Sequence, residues 1–482
     1  MPRHIWSIGF AALLFASVSF AQYGSIQNRA INLLNENRVR TTFYNYGLLG
    51  NVGEISFEWP QGTGDEYMGD FSPLLGVEFV HPSGDTLRSV CTSYGPRGNP
   101  DGPPGGGAFW GFEPLPGFHR VNTGETPHIA RSDQPNTWPS SWSNHWLGHF
   151  PNAQQWADQE AYFQMDDNAD MEWRVRGTDT LFAFPNDTSR SGLGLRVEGR
   201  YLEFLGPDLE DMIVLMYVFH NDGVINFLSM RFGVIVGTLV GGRQDSADDL
   251  FYYSADHEIA ITIDSDDIGS PGWVPLSDSI NVGAIGTTFL KTPADLGVTS
   301  FELFSPPGAV RMNDDAALWS RLTPGNFDTP TPEPTDGDFI LGTGNFQLSP
   351  GSVDTVVTAV VFGIDPNDVI RKADYLRNLY DSGQIMEASE PREPQIISNF
   401  DLSVFPNPFN SSVTININVR INTELTVTLY DILGREVDVL HRGRLSNSVL
   451  RYSAPASLVS GIYFIRAWNE TNSFAQKIVF MK

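Results

Sequence analysis

Apolar and polar residues alternate along much of this chain with a period of two, the spacing that turns one face of a β-strand to a core and the other to water. Short runs rich in branched and aromatic residues, at Thr41 to Tyr46, Gly53 to Trp59, Gly76 to His81 and Thr86 to Cys91, are separated by Gly, Pro, Asp and Asn. Met212 to Phe219 is apolar throughout, Asn221-Asp222-Gly223 supplies a turn, and Val224 to Val240 runs back with similar residues. The pattern predicts a central hairpin buried within a sandwich. The same grammar continues through Ile285 to Leu290, Thr299 to Phe304, Phe339 to Leu341 and Val353 to Phe362. The loop Gly98 to Gly107 is Gly, Pro, Asn and Asp and should be exposed.

Helical spacing occurs in two places. Ile26, Ala30, Ile31, Leu33 and Leu34 predict a short leading helix within Ser25 to Asn37. Further on, Asp365 can cap a helix, Pro366 suits its first position, Val369, Ala373, Leu376 and Tyr380 form its apolar stripe, and Gly383 stops it.

From Asp401 the alternation is regular. Val413, Ile415, Ile417 and Val419 point one way in a first strand, and Leu425, Val427 and Leu429 repeat the pattern in a second. Tyr430 to Glu436 then reverses the chain, with Gly434 free to take positive φ. Apolar runs at Val437 to Leu440, Gly461 to Trp468 and Ile478 to Met481 bring the count to about seven strands, that of a small immunoglobulin-like sandwich. Glu387 to Asn399, with Pro391 and Pro394 among charges, reads as a linker. The expected fold is mainly β with few helices. One large or two smaller sandwiches fill residues 22–384, with any internal boundary near 190–210, and a linker over 385–400 leads to the terminal sandwich at 401–482.

The residues of that last sandwich carry a family resemblance. Pro406-Asn407-Pro408-Phe409, then Tyr430-Asp431 with Gly434-Arg435, then Gly461 with Tyr463, and Lys477 before an apolar end, resemble the type A C-terminal sorting domain of type IX secretion cargo. The resemblance covers roughly a sixth of the chain. It implies that the type IX outer-membrane translocon reads this segment as the partner of export, and that the cargo ends up secreted or on the outer cell surface. It implies nothing about activity.

The other end points the same way. Arg3 and His4 precede the uncharged apolar segment Ile5 to Val18, which closes on Ser19-Phe20-Ala21, so residues 1–21 read as a secretory signal peptide cut after Ala21. No later stretch reaches membrane-spanning length. With 57 acidic against 30 basic residues the formal charge is −27, which repels phosphate backbones and excludes nucleic acid as a natural partner. Cys91 is the one cysteine, so no intrachain disulfide is available and stability must come from packing, helped by any bound ion.

Candidate chemistry lies in four groups of residues. Trp138, Trp142 and Trp146 crowd a proline-rich segment, and such a group is either a core plug or a flat ligand platform for sugar rings of a polysaccharide or surface glycan. His145 and His149 stand four apart, but Trp146 occupies the place where a metalloprotease helix needs Glu. Asp166, Asn168 and Asp170 imitate the start of a calcium loop, yet Met171 replaces its Gly and Gly177 its bidentate Glu. Asp245, Asp248 and Asp249 on one side, and Asp264, Asp266 and Asp267 on the other, converge if Leu250 to Ile263 forms a hairpin. Six carboxylates held together call for a cation, with Ca²⁺ the natural choice, whereas the plainer reading is acidic residues decorating loops.

The chain carries no nucleophile elbow, His-Glu-x-x-His helix, Walker loop or dinucleotide fingerprint. Glycoside hydrolysis needs only two suitably spaced carboxylates, which sequence alone cannot test. Two function classes therefore stand: a noncatalytic cell-surface or secreted binding or adhesion protein, and an extracellular hydrolase carried by the same sorting domain.

Overall fold

The computed structural model describes residues 23–51, 53–93, 110–120, 128–142, 146, 156–305, 312–329, 333–385, 400–405, 407–419, 423–431, 435–445, 448–455, 457–468 and 473–482. The expected cleavage site at Ala21, the loop Gly98 to Gly107, the pair His145 and His149, the linker residues 386–399, and Pro406 and Gly434 lie outside these. The chain divides into two compact units, Met1–Ala388 and Ser389–Lys482. Both are built mainly of β-strands, as the alternation predicts.

Two antiparallel sheets dominate the first unit. The larger has eight strands in the order Asp249–Ser254, Ile259–Asp264, Ala284–Lys291, Val353–Gly363, Met212–Asn221, Leu195–Glu203, Gln159–Asp166 and Glu113–Pro114. The smaller has five, in the order Ser300–Phe304, Asp338–Leu348, Phe227–Thr238, Met68–Val80 and Thr86–Thr92. One apolar layer joins them. Tyr217 and Phe219 of the first sheet meet Phe232 of the second at ring separations of 5.6 and 5.2 Å, and Phe232 also meets Phe289 at 6.0 Å. Residues 190–210 hold the strand Leu195–Glu203, bonded on both sides, and the body is a single unit.

Met212–Asn221 and Phe227–Thr238 do not form the expected hairpin. The first pairs with Leu195–Glu203 and Val353–Gly363, the second with Met68–Val80 and Asp338–Leu348. The turn between them is an arch from one sheet to the other. Asn221 holds its corner: Nδ2 donates to the carbonyls of Ile225 at 2.8 Å and Leu348 at 3.0 Å, and Oδ1 accepts the Gly223 N–H at 3.2 Å. A strand apolar on both faces needs neighbours on both edges and cover on both faces, and separate sheets supply these for each strand.

The expected leading helix is also replaced. Ile26–Asn28 makes one 3₁₀ turn, and Ile31–Leu34 is a strand antiparallel to Thr41–Tyr44. Asn32 and Leu34 are buried there while Ile31 and Leu33 are half-buried, so pairing overrides the helical spacing.

The second predicted helix forms as Pro366–Asp381, with the Asp365 carboxylate accepting the Asp368 N–H at 2.9 Å. Val369, Ala373, Leu376 and Tyr380 cover the outer face of the eight-stranded sheet. Gly286 permits this approach, because a Cβ there would lie 2.6 Å from Val369 Cγ1. A shorter helix, Asp315–Arg321, sets Leu318 and Trp319 against the outer face of the five-stranded sheet. No helix among the described residues is long and apolar enough to cross a membrane. Cys91 sits in the shared core, and burial raises its thiol pKa, which suits packing and not nucleophilic attack.

The second unit stacks a three-stranded sheet, Phe400–Phe405, Ser412–Val419 and Ser448–Ser453, with a four-stranded one, Glu436–Leu445, Thr423–Asp431, Gly461–Trp468 and Ser473–Phe480. Its core contains Val413, Ile415, Ile417, Leu425, Val427 and Leu429, the residues that the alternation points inward.

One buried acid in the body generates a pH prediction. Glu203 is fully buried, its Oε2 accepts the Glu36 N–H at 2.7 Å, and burial pushes its pKa up to about 8. The unfolded value is about 4.3. Between those limits the folded state keeps a proton that the unfolded state has lost, so stability falls as pH rises through the window. Glu203→Gln should reduce the fall of Tm between about pH 5 and pH 8 by a few degrees, read by thermal melts of both proteins across that range.

Candidate functional site

The C-terminal motif residues meet around the last strand. Asn407 clamps it from both ends of its amide, Nδ2 donating to the Lys477 carbonyl at 2.9 Å and Oδ1 accepting the Val479 N–H at 2.8 Å. Phe409 continues the contact: its N–H donates to Val479 O at 2.9 Å, its carbonyl accepts from Met481 at 2.8 Å, and its ring lies 5.0 Å from that of Phe480. Pro408 is exposed beside it, and Phe409 is buried. The early motif thus ties down the chain terminus.

A second group borders the same sheet. Tyr430 and Asp431 stand opposite Phe464 and Tyr463 in register. Asp431 receives the Arg435 N–H at 3.0 Å and its Nε at 2.7 Å. Tyr463 donates its hydroxyl to Val459 O at 2.8 Å, just before Gly461 opens the strand. Lys477 is exposed.

In the body, the structure joins part of the acidic set. Asp249–Ser254 and Ile259–Asp264 form a hairpin whose register places Asp249 directly opposite Asp264. Asp245, Asp248 and Asp264 each present a carboxylate oxygen within 4.8 Å of the others. Oδ2 of Asp245 and Oδ2 of Asp264 are closed off from solvent, and among the described residues the one partner either carboxyl offers the other is a shared proton. Gly241, at φ +83°, leaves the room they use, because a Cβ there would lie 2.4 and 2.6 Å from them. Asp249 is 1% exposed, and its Oδ1 is buried without a partner among the described residues. Asp266 and Asp267 turn elsewhere: Asp266 Oδ1 accepts Ile268 N–H at 2.9 Å, and Asp267 accepts the N–H groups of Asn281 and Val282.

Crowded, desolvated carboxylates resist ionisation together. Burial, and then the adjoining Asp245, push the Asp264 pKa up to about 7, against the pull of the Asp266 and Asp267 N–H groups. Burial likewise raises Asp249, with Asp264 and Asp248 adding to it. Such a set needs a proton or a cation. An all-oxygen donor group suits a hard divalent ion such as Ca²⁺.

The remaining candidates are occupied structurally. Trp142 and Trp146 are buried and Trp138 is half-buried, with ring separations of 5.8 Å for Trp138 to Trp146 and 5.5 Å for Trp142 to Trp146. Their indole N–H groups donate inward, to Arg131 O at 2.5 Å, Gly117 O at 3.1 Å and Glu160 Oε2 at 3.0 Å. They form a small core, not an open platform. Asp166 and Asp167 use their oxygens on backbone N–H groups of Gly24, Asn168, Leu193 and Leu195, which pins loops together.

The second unit is a small sandwich whose terminal strand is held by an upstream motif. Residues 403–481 match the secretion system C-terminal sorting domain. The C-terminal unit is therefore the sorting domain of a type IX secretion cargo, and the chain is exported to the cell surface or secreted. No curated protein sequence matches the chain.

Solved structures similar to the chain include a polysaccharide lyase, at 9% identity and TM-score 0.27 over 95% of this chain and 47% of that one. Dimeric latent PorU from Porphyromonas gingivalis matches at 9% and 0.15, over 94% of this chain and 34% of that one. The BSP domain of a biofilm associated protein gives 9% and 0.15, over 100% and 84%. The chain spans less than half the length of the first two, and likenesses at these scores carry no argument about the body.

The clamp on the terminal strand is testable. Phe409→Ala should cost the tail unit about 3–5 kcal/mol. Hydrogen exchange of the full chain should then show lost protection over Ser473–Phe480 with that of Met212–Asn221 unchanged; equal protection in both proteins would deny the clamp.

Proposed function

We propose that this type IX cargo is a noncatalytic binding protein of the cell surface or extracellular space, with a body stiffened by calcium at Asp245, Asp248 and Asp264. The observation that supports it is the convergence of these carboxylates on desolvated oxygens at the open end of the outermost hairpin, with buried Asp249 on the same face. A protein with one cysteine has no disulfide with which to brace such a hairpin outside the cell. A divalent ion bridging the loop before Asp249–Ser254 to the end of Ile259–Asp264 serves the same purpose. Polysaccharide or surface glycan is the ligand class that this reading assigns, with the type IX outer-membrane translocon as the export partner.

One observation favours a second reading, an extracellular glycoside hydrolase. Asp264, raised to about 7 beside Asp245, has the form of a general acid next to a carboxylate. The two readings divide on what neutralises the cluster.

Calcium at a hundredfold excess over its Kd should stabilise the exported chain by about 2.7 kcal/mol, seen as a Tm rise of several degrees that chelation reverses. Asp245→Asn with Asp264→Asn should abolish the shift. On a polysaccharide panel, retention without released sugar supports the binding protein; sugar release that Asp264→Asn eliminates would replace it with the hydrolase.

A further inference from the structure

The loop that carries Asp245 has a second face. Gly242 to Gln244 line a hollow of about 240 Å³, whose other walls include Asp65, Glu66, Ser270 and Trp273. Ligand pockets for drug-sized molecules run from about 300 to 1,000 Å³, so this one has room for a single small ring. We propose that this hollow binds one neutral pyranose ring of an extracellular glycan, which names the ligand site of the binding reading above and rests on it.

The walls alternate in the way a polyhydroxyl ring requires. Asp65 is 5% exposed and held in place by the Val274 N–H at 3.1 Å, a rigid acceptor for ring hydroxyls. Arg243 and Glu66 are locked by a 2.8 Å pair, and they present a donor and an acceptor side by side. Gln244 is exposed and lines the hollow. Trp273 supplies an apolar surface for the C–H face of a sugar, and its orientation is fixed by Nε1 donating to Asn281 O at 3.0 Å and by the Tyr67 ring at 5.0 Å. Two carboxylates against one guanidinium leave the hollow net negative. An anionic sugar is thereby disfavoured and a neutral one admitted.

The backbone of the hollow is braced before any ligand arrives. Ser270 N–H donates to Gly241 O at 2.7 Å, Gln244 N–H to Ser270 Oγ at 3.1 Å, and Trp273 N–H to Ser270 O at 2.9 Å. Preorganised polar groups around a flat aromatic ring bind with little ordering cost. In the larger groove, about 590 Å³, the Trp319 ring is taken by Arg231 at 4.2 Å and Arg88 at 5.3 Å.

The test is ligand-observed NMR and calorimetry on the exported chain with methyl glucoside, galactoside and mannoside, and galacturonate as the anionic control. At least one neutral glycoside should bind with a Kd on the order of 1 mM, and galacturonate at least tenfold more weakly. Gln244→Ala and Asp65→Asn should each weaken binding about tenfold, and Gln244→Ala, at an exposed side chain, should do so with the melting temperature of the parent protein. Absence of binding by all three neutral glycosides, or binding unchanged in both variants, overturns the proposal. Sugar binding without any calcium response would remove the cation reading alone, and a calcium response without sugar binding would remove this one alone.

Discussion

The body depends on one apolar layer between its two sheets. No covalent cross-link is available to a chain with a single, buried cysteine, so the sheets are held by packing, in which Phe232 of the smaller sheet meets Tyr217, Phe219 and Phe289 of the larger, helped by the Asn221 bond to the Leu348 carbonyl. Truncating any one such ring in a closed core costs about 3–5 kcal/mol, a large share of the stability of an ordinary domain. The arch at Asn221 follows from this layer, because it delivers Phe219 and Phe232 to opposite sides of the same core. Each strand of the arch then recruits its own neighbours, and the sheets grow outward from it.

Growth ends at the hairpin Asp249–Ser254 and Ile259–Asp264, an edge to which the described residues add no further strand. Here the composition changes from apolar to acidic, and electrostatics takes over from packing. Oxygens of Asp245, Asp249 and Asp264 removed from water are unfavourable as bare anions, so the edge is stable only with a proton or a cation among them. The loop from Gly241 to Asp245 borders both this cluster and the hollow at Trp273.

Legibility in the sequence followed the locality of the physics. The tail was readable because its strands alternate strictly and its motifs sit at the turns they create: Asn407 and Phe409 clamp the last strand, and Asp431 closes on Arg435 four residues later. The helix Pro366–Asp381 was readable from its cap, its proline and its stripe. The hairpin that joins Asp249 to Asp264 was readable from two apolar runs with acidic ends. Sheet assignment was not. Met212–Asn221 and Phe227–Thr238 look alike as sequence, and only partners far along the chain, such as Val353–Gly363 and Met68–Val80, decide that they part. Ile31–Leu34 is a strand because Thr41–Tyr44 lies ready to pair with it, a choice that its own spacing opposes. Tryptophan crowding around Trp142 signalled burial and ligand contact equally well, and the inward direction of each indole N–H distinguishes them. The hollow joins Asp65 to Trp273 across some two hundred residues, and no local pattern marks it.

The central claim is that a folded export label, residues 403–481, is attached to an independently folded, sheet-built cargo. The most direct measurement is the distribution of the chain in its native cell with and without Ser403–Lys482, followed by limited proteolysis of each fraction. The account predicts that the shortened chain stays inside the outer membrane while its body resists protease as the intact protein does. Arrival of the shortened chain outside the cell as efficiently as the intact one would contradict it.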